Sequence, residues 1–245
     1  MIEVRDLHKT IGTEQILRGI DLRVKAGETC VVLGRSGSGK SVLLKHLIGL
    51  FQPTRGQVII EGENIAGLPE RKLGEIRKKV GILFQSAALF DSMSVGENIA
   101  FPLREAGLRD SREIASRVAE ALEMVDLSGE EKKMPESLSG GMRKRVGLAR
   151  TIVNRPACIL YDEPTTGLDP IATDSINHLI RRLQKRLQVT SVVVTHDMKT
   201  AFHTASQIAF LHDGRIYFYG APDELRSSPD AIIQDFIEGR SGEAD

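Results

Sequence analysis

The chain has 245 residues, 41% hydrophobic and 4% aromatic with no Trp, and its 33 Lys and Arg balance 33 Asp and Glu. That length supports one large core with at most a subdomain, and neither the charge balance nor the few aromatics suit a nucleic-acid partner. No apolar run approaches the ~20 residues of a bilayer span, and the start Met1–Asp6 lacks the basic and apolar regions of a secretory signal, so a cytoplasmic protein is expected.

In chain order, Ile2–Val4, Ile20–Val24 and Gln57–Glu61 read as strands, with Gly27, Gly56 and Gly62 as punctuation. Between them, Thr29–Leu33 is a continuous apolar run expected to be a buried strand, followed by helical spacing over Ser41–Gly49. Lys79–Phe84 is a further apolar run. After Gln85 the character changes, and Ser94–Ile152 reads mostly as helix, most periodic over Ser111–Val125. Strand signals return at Ala157–Tyr161 and Val189–Thr195, both apolar throughout, as parallel strands covered on two faces require. Ile171–Leu187 supplies the helical crossover, and Ile208–Leu211 and Arg215–Tyr219, split by Asp213-Gly214, read as a hairpin. Cys30 and Cys158 each fall in an expected buried strand and are read as small core residues rather than a metal or redox pair. In the C-terminal piece, Ile232, Ile233, Phe236 and Ile237 form one helical stripe, expected to pack on the chain's own core, with contact to a partner ATPase subunit as the alternative.

Gly34-Arg35-Ser36-Gly37-Ser38-Gly39-Lys40-Ser41 is a complete G-x-x-x-x-G-K-S loop between the buried strand and the helix, the context this motif requires. Glycines let backbone N–H groups crowd round phosphate oxygens, and the helix N-terminus adds its dipole. Lys40 is expected to reach the β and γ phosphates, and the Ser41 hydroxyl to ligate Mg²⁺. The chain is therefore expected to bind a nucleoside triphosphate with Mg²⁺.

About 120 residues later an apolar strand ends in Asp162-Glu163. Alone that pair is a common strand-end cap. Beside a phosphate loop, Asp162 suits the Mg²⁺ shell and Glu163 suits a general base that polarises the attacking water. His196 follows the strand ending at Thr195. A lone strand-end histidine is usually structural, but parallel strands would bring this one to the same crevice as Lys40 and Glu163. Its role towards the γ-phosphate rests on the family resemblance below. In Leu138–Arg145, Ser139 is a good N-cap, and Gly140-Gly141 leave the helix start open to an anion. Met142, Val146, Ala149 and Val153 trace one apolar stripe. Arg143, Lys144 and Arg145 read either as a solvated basic face or as residues tolerated near a phosphate.

Together these motifs resemble an ABC-type ATPase subunit almost end to end. Gly34–Ser41 is similar to its Walker A loop, and Gln85 to its Q-loop glutamine. Leu138–Met142 is similar to its LSGGQ signature with Met142 in place of the glutamine. Ile159–Glu163 resembles Walker B with the catalytic glutamate, Gly167-Leu168-Asp169 the D-loop, and His196 the switch histidine. The resemblance implies an α/β fold, a P-loop NTPase (RecA-like) core with an ABC-type antiparallel β subdomain and an α-helical insertion. It would be one domain over residues 1–245, with core 1–85 and 151–225, helical subdomain about 86–150 and C-terminal extension about 226–245. It implies a head-to-tail homodimer in which Ser139, Gly140 and Gly141 of one copy complete the ATP site of the other. Gln85 would ligate Mg²⁺ and sense a membrane partner, and Asp169 would link the two sites. The family usually has an adenine-stacking aromatic near Ile11, where this chain is aliphatic.

The apolar loop Gln85–Val95, the Phe101-Pro102-Leu103 run and the Met142 variant further resemble the Mla/Mce-type lipid transporter ATPases, the MlaF group. That likeness implies an integral-membrane lipid permease and an MCE-domain substrate-binding protein as partners, on the cytoplasmic side of the inner membrane of a Gram-negative envelope. A soluble ABC-type ATPase of iron–sulfur cluster assembly, similar in length, is the alternative.

Overall fold

The computed structural model describes residues 1–240. In chain order its elements are β1 (Ile2–Ile11), β2 (Glu14–Val24), β3 (Thr29–Leu33), α1 (Lys40–Leu47), β4 (Arg55–Ile60), β5 (Glu63–Asn64) and α2 (Glu70–Lys79). Next come β6 (Val80–Leu83), α3 (Val95–Glu105), α4 (Ser111–Met124), α5 (Gly140–Ile152), β7 (Cys158–Asp162) and α6 (Pro170–Leu187). The chain ends with β8 (Thr190–Thr195), α7 (Met198–Thr204), β9 (Gln207–His212), β10 (Arg215–Gly220), α8 (Pro222–Arg226) and α9 (Ala231–Ile237). They form two compact units, one of residues 1–73 and 192–245, the other of residues 74–191, with the second boundary inside β8.

The first unit holds an antiparallel sheet in the order β2-β1-β4-β5 and a second set of strands in the order β10-β9-β3-β8. Every residue of β3 is buried, and β3 runs parallel to β9, pairing Cys30 with Gln207 through Leu33 with Phe210. β9 and β10 are the hairpin expected at Asp213-Gly214, where both turn residues have positive φ, 47° and 72°. β1 extends to Ile11 rather than ending at Val4. Its alternation breaks at Asp6 (φ 45°), where the pairing with β2 shifts register between Val4 and Leu7. Such a bulge flips the side-chain pattern, so the polar stretch His8–Thr10 no longer resembles a strand in sequence.

In the second unit β6 and β7 are parallel, from Val80 with Cys158 to Leu83 with Tyr161. The helices α3 to α6 account for most of the rest. Their starts are written in the sequence: Ser94 and Glu97 close a capping box on α3, Asp110 caps α4, Ser139 caps α5, and Asp169 followed by Pro170 caps α6. Each cap satisfies backbone N–H groups that a helix start leaves without intrahelical partners. Cys30 and Cys158 are free thiols buried in β3 and β7. Burial, helped by the charge of Glu28, pushes the Cys30 thiol up to about 12.

Candidate active site

In the first unit the strand-to-helix turn after β3 carries the phosphate loop. A Cβ at Gly34 would lie 2.5 Å from the Leu211 carbonyl oxygen, so only glycine allows the loop to leave the sheet there. Ser38 N–H donates to the Arg35 carbonyl at 3.2 Å, and Gly39, at φ 102°, opens α1 without a side-chain cap. The first N–H groups of α1 are thus not taken by a capping side chain, which suits an anion. Lys40 is buried, and its ammonium donates to the carbonyls of Gly34 and Arg35, both at 2.9 Å. Ser38 Oγ is buried with no hydrogen-bond partner. A polar cavity of about 290 Å³ adjoins the loop, lined by Arg35, Ser36, Gly37, Ser38, Arg18 and His212. An orphaned hydroxyl, a buried ammonium on neutral carbonyls and an uncapped helix start fit a nucleotide's phosphates. His196, at the end of β8, is exposed, next to Asp197, whose carboxylate caps α7. Ile11, the last residue of β1, is 47% exposed.

The second unit brings together the remaining candidates. Asp162 ends β7, and Glu163 follows it, buried and at φ 47°. A glutamate in the left-handed region is costly and persists where the surroundings over-determine it. Thr166 Oγ1 donates to Glu163 Oε2 at 3.2 Å, and the Lys144 ammonium donates to the Glu163 carbonyl at 3.3 Å. The same ammonium donates to the Gln85 carbonyl. Ser139 Oγ accepts from Met142 N–H at 3.3 Å, as an N-cap should. Beside it, a Cβ at Gly140 would meet Leu168 Cδ2 at 3.3 Å. Asp169 has its Oδ1 engaged by Ile171 and Ala172 N–H, each at 2.9 Å. Thus the phosphate loop and His196 belong to the first unit, and Gln85, Ser139–Gly141, Asp162, Glu163 and Asp169 to the second.

Two sequence expectations change. Arg143–Arg145 is neither a uniform solvated face nor a uniform phosphate-facing row. Arg143 is exposed, Lys144 is buried on backbone carbonyls, and Arg145 bridges Asp126, the Val125 carbonyl and Ser175. Helical rotation separates adjacent residues by about 100°, so three in a row share no face. In α9 only Ile233 of the expected stripe is buried, and Ile232 is exposed. There Phe236 packs at a tilt against buried Phe210, with ring centroids 4.9 Å apart, and Arg35 donates to the Arg240 carbonyl at 3.2 Å. The final residues of the expected extension, 241–245, lie outside the described residues.

The sequence also under-reads Lys144, Thr166 and Asn98. Val146, Gly147, Leu148 and Ala149 are buried in succession, so α5 is enclosed nearly all round and Lys144 finds its acceptors inside, which only the folded chain shows.

The ABC transporter family profile matches residues 17–166. The probable ribonucleotide transport ATP-binding protein mkl of Mycobacterium leprae is 42% identical, over 98% of this chain and 69% of that one. The intermembrane phospholipid transport system ATP-binding protein MlaF of Haemophilus influenzae is 39% identical, over 98% of this chain and 91% of its own. A solved ATP-binding cassette, dimeric in a post-hydrolysis state with ADP and Pi, superposes with a TM-score of 0.82 at 33% identity, covering 91% of this chain and 99% of that one.

Proposed function

The chain belongs to the ABC transporter ATPase family, and from that premise we propose that it powers phospholipid transport across a Gram-negative envelope through an integral-membrane permease. It would act on the cytoplasmic side of the inner membrane, with an MCE-domain substrate-binding protein as a further partner. Among the described residues no helix is long and apolar enough to cross a membrane, so the permease would supply the membrane path.

The observation that carries the permease reading is the surface that follows Gln85. A cavity of about 480 Å³ is lined there by Phe84, Ala88, Phe90, Phe101 and Pro102, with Arg150 at its side. Phe84 and Phe90 are 38% and 42% exposed, in a chain where aromatics are scarce. An exposed aromatic groove with a basic edge suits a short amphipathic helix of a membrane partner. The phospholipid cargo rests on the likeness to the phospholipid-transport relative, which the chain matches over nearly its whole length. Ribonucleotide is the rival cargo, from the mkl likeness.

In the proposed cycle the loop amides from Gly34 to Ser41 and the Lys40 ammonium hold the triphosphate, Lys40 exchanging its two carbonyl acceptors for phosphate oxygens. Ser41, Gln85 and Asp162 offer oxygen ligands for Mg²⁺, which would neutralise the developing phosphate charge. Glu163, its carboxylate steadied by Thr166, takes the proton of the water that attacks the γ-phosphorus, and the bond to ADP breaks. His196 orients that water. Ser139, Gly140 and Gly141 of a second copy cover the same ATP, with Asp169 at the dimer seam, so hydrolysis reopens the pair.

Replacing Glu163 by Gln is expected to leave ATP affinity near wild type while turnover falls about 100-fold or more. Steady-state phosphate release with nucleotide titration checks this, and wild-type turnover would remove Glu163 from the chemistry. In a complex with the proposed permease, phospholipid should raise ATP turnover and ribonucleotide should not. The opposite pattern would reassign the cargo.

A further inference from the structure

Helix α5, which opens at Ser139, grips the segment that carries Gln85 through a set of side-chain-to-backbone hydrogen bonds. Lys144 is 5% exposed, and its ammonium donates to the carbonyl oxygens of Gln85 and Glu163. Two turns on, Arg150 donates to the Ala88 carbonyl at 2.8 Å and to the Ala87 carbonyl at 2.7 Å. Thr151 Oγ1 lies 3.1 Å from the Ile82 carbonyl. Between them the helix backbone itself meets the segment: a Cβ at Gly147 would lie 2.8 Å from Leu83 Cδ1 and 3.1 Å from the Ala87 Cβ. Three of the gripped residues are non-glycine residues in the left-handed region, Ala87 at φ 61°, Ala88 at φ 48° and Glu163 at φ 47°. Such conformations need external restraint, and here it is supplied by cations on their own carbonyl oxygens. Lys144 has every reason to be solvated instead. Burial pulls its pKa down, and the charges of Asp162 and Glu163 oppose that pull. The side chain remains inside on two carbonyls, one from each of two site residues.

We infer that Lys144 is a positioning residue for ATP hydrolysis, supported by Arg150. It fixes the Gln85 segment and the Glu163 peptide to one helix, so that a displacement of the segment is felt at the catalytic carboxylate and at the Ser139 helix start together. The inference rests on the roles proposed above for Gln85 and Glu163. Lys144 acts through the backbone of those residues and touches no reacting atom.

The test measures ATP turnover by the purified full chain. Lys144→Met keeps the side-chain length and removes the donor; it should lower kcat about tenfold, the loss of a carbonyl bond to a cation at the transition state, while KM for ATP stays within about twofold. Lys144→Gln, which keeps an N–H donor, should restore most of the rate. Wild-type kcat in Lys144→Met, or equal slowing in both variants, overturns the proposal, because a purely structural lysine would lower thermal stability without this split. Should Lys144→Met fail to fold, Arg150→Gln releases the Ala87 and Ala88 carbonyls and should also lower kcat at constant KM; an unchanged kcat there overturns the proposal. Glu163→Gln assayed alongside separates the two readings. If it turns over normally, the site assignment fails; if it is inactive while Lys144→Met is wild type, only the positioning role fails.

Discussion

Asn98 is fully buried on α3, and its amide is saturated by the loop in front of the helix. Phe90 N–H donates to its Oδ1 at 2.8 Å, and its Nδ2 donates to the carbonyls of Phe90, Met93 and Ser94 at 3.1, 2.9 and 3.1 Å. The loop folds back on the helix because one side chain replaces the backbone partners it lacks. Phe90 is thereby set against Phe101, with ring centroids 5.0 Å apart, along the aromatic cavity. Asn98→Ala removes the side-chain partner of the Phe90 N–H and of the Met93 carbonyl, while the Phe90 and Ser94 carbonyls keep the backbone N–H groups of Met93 and of position 98. It is expected to cost about 2–3 kcal/mol of stability, read as a lower urea midpoint at unchanged m-value. A shift below about 0.5 kcal/mol would mean that the loop holds itself. Nothing in Val95–Glu105 marks this asparagine in sequence. It occupies a buried helix position whose polar partners exist only once the loop has returned. Glu163 differs: its place at the end of an apolar strand was legible, but its left-handed backbone was not, since φ depends on what Thr166 and Lys144 impose.

At the scale of elements, one carboxylate joins three helices. Asp126 follows α4 at φ 58°, and its Oδ2 accepts from Arg145 of α5 at 2.6 Å and from Arg182 of α6 at 2.7 Å. Burial raises the Asp126 pKa, but the hydrogen bonds from Arg182 and Arg145 outweigh it and hold the carboxyl below its usual range. A depressed folded-state pKa contributes stability that is present above the unfolded value and lost as pH falls through the folded one. Because the carboxylate is 52% exposed, solvent screening limits the network to roughly 0.5–1 kcal/mol. Asp126→Asn should therefore lower the thermal midpoint at pH 7. The difference from wild type should shrink as pH falls below the ordinary carboxylate range and vanish once pH is below the depressed folded-state value. A difference that persists in acid would assign the effect to the backbone at Asp126 instead. Helix starts were far more legible than this junction. Ser94, Asp110, Ser139 and Asp169 each act within three residues of themselves, whereas Asp126 meets Arg182 across 56 positions.

For the whole molecule the decisive expectation is association. Ser139, Gly140 and Gly141 form a capped, glycine-opened helix start, and Asp169 caps α6 next to Leu168, whose Cδ2 a Cβ at Gly140 would meet at 3.3 Å. Within the second unit no phosphate-binding loop accompanies them. A glycine pair at a helix start has its use if the anion comes from another copy, and the solved cassette that this chain resembles is dimeric with ADP and Pi bound. Glu163→Gln with saturating ATP and Mg²⁺ should therefore run as a dimer in light scattering and return to monomer when nucleotide is removed. A strictly monomeric sample under those conditions, alone and with its permease, would overturn the proposed closure.

Chemistry that is local in the chain could be read from the sequence alone: the phosphate loop between a buried strand and a helix, the Asp162-Glu163 strand end, the helix caps and the Asp213-Gly214 hairpin. Each is specified by residues a few positions apart, where propensity, hydrogen-bonding reach and φ requirements act before any tertiary contact forms. The three-dimensional structure alone decided the fate of side chains whose partners are distant in sequence. It buried Lys144 on the carbonyls of Gln85 and Glu163, set Asn98 under the loop, continued β1 past its bulge and left Ile232 in solvent. A buried polar group must find a partner, but composition and periodicity do not say which backbone the folded chain will bring within reach.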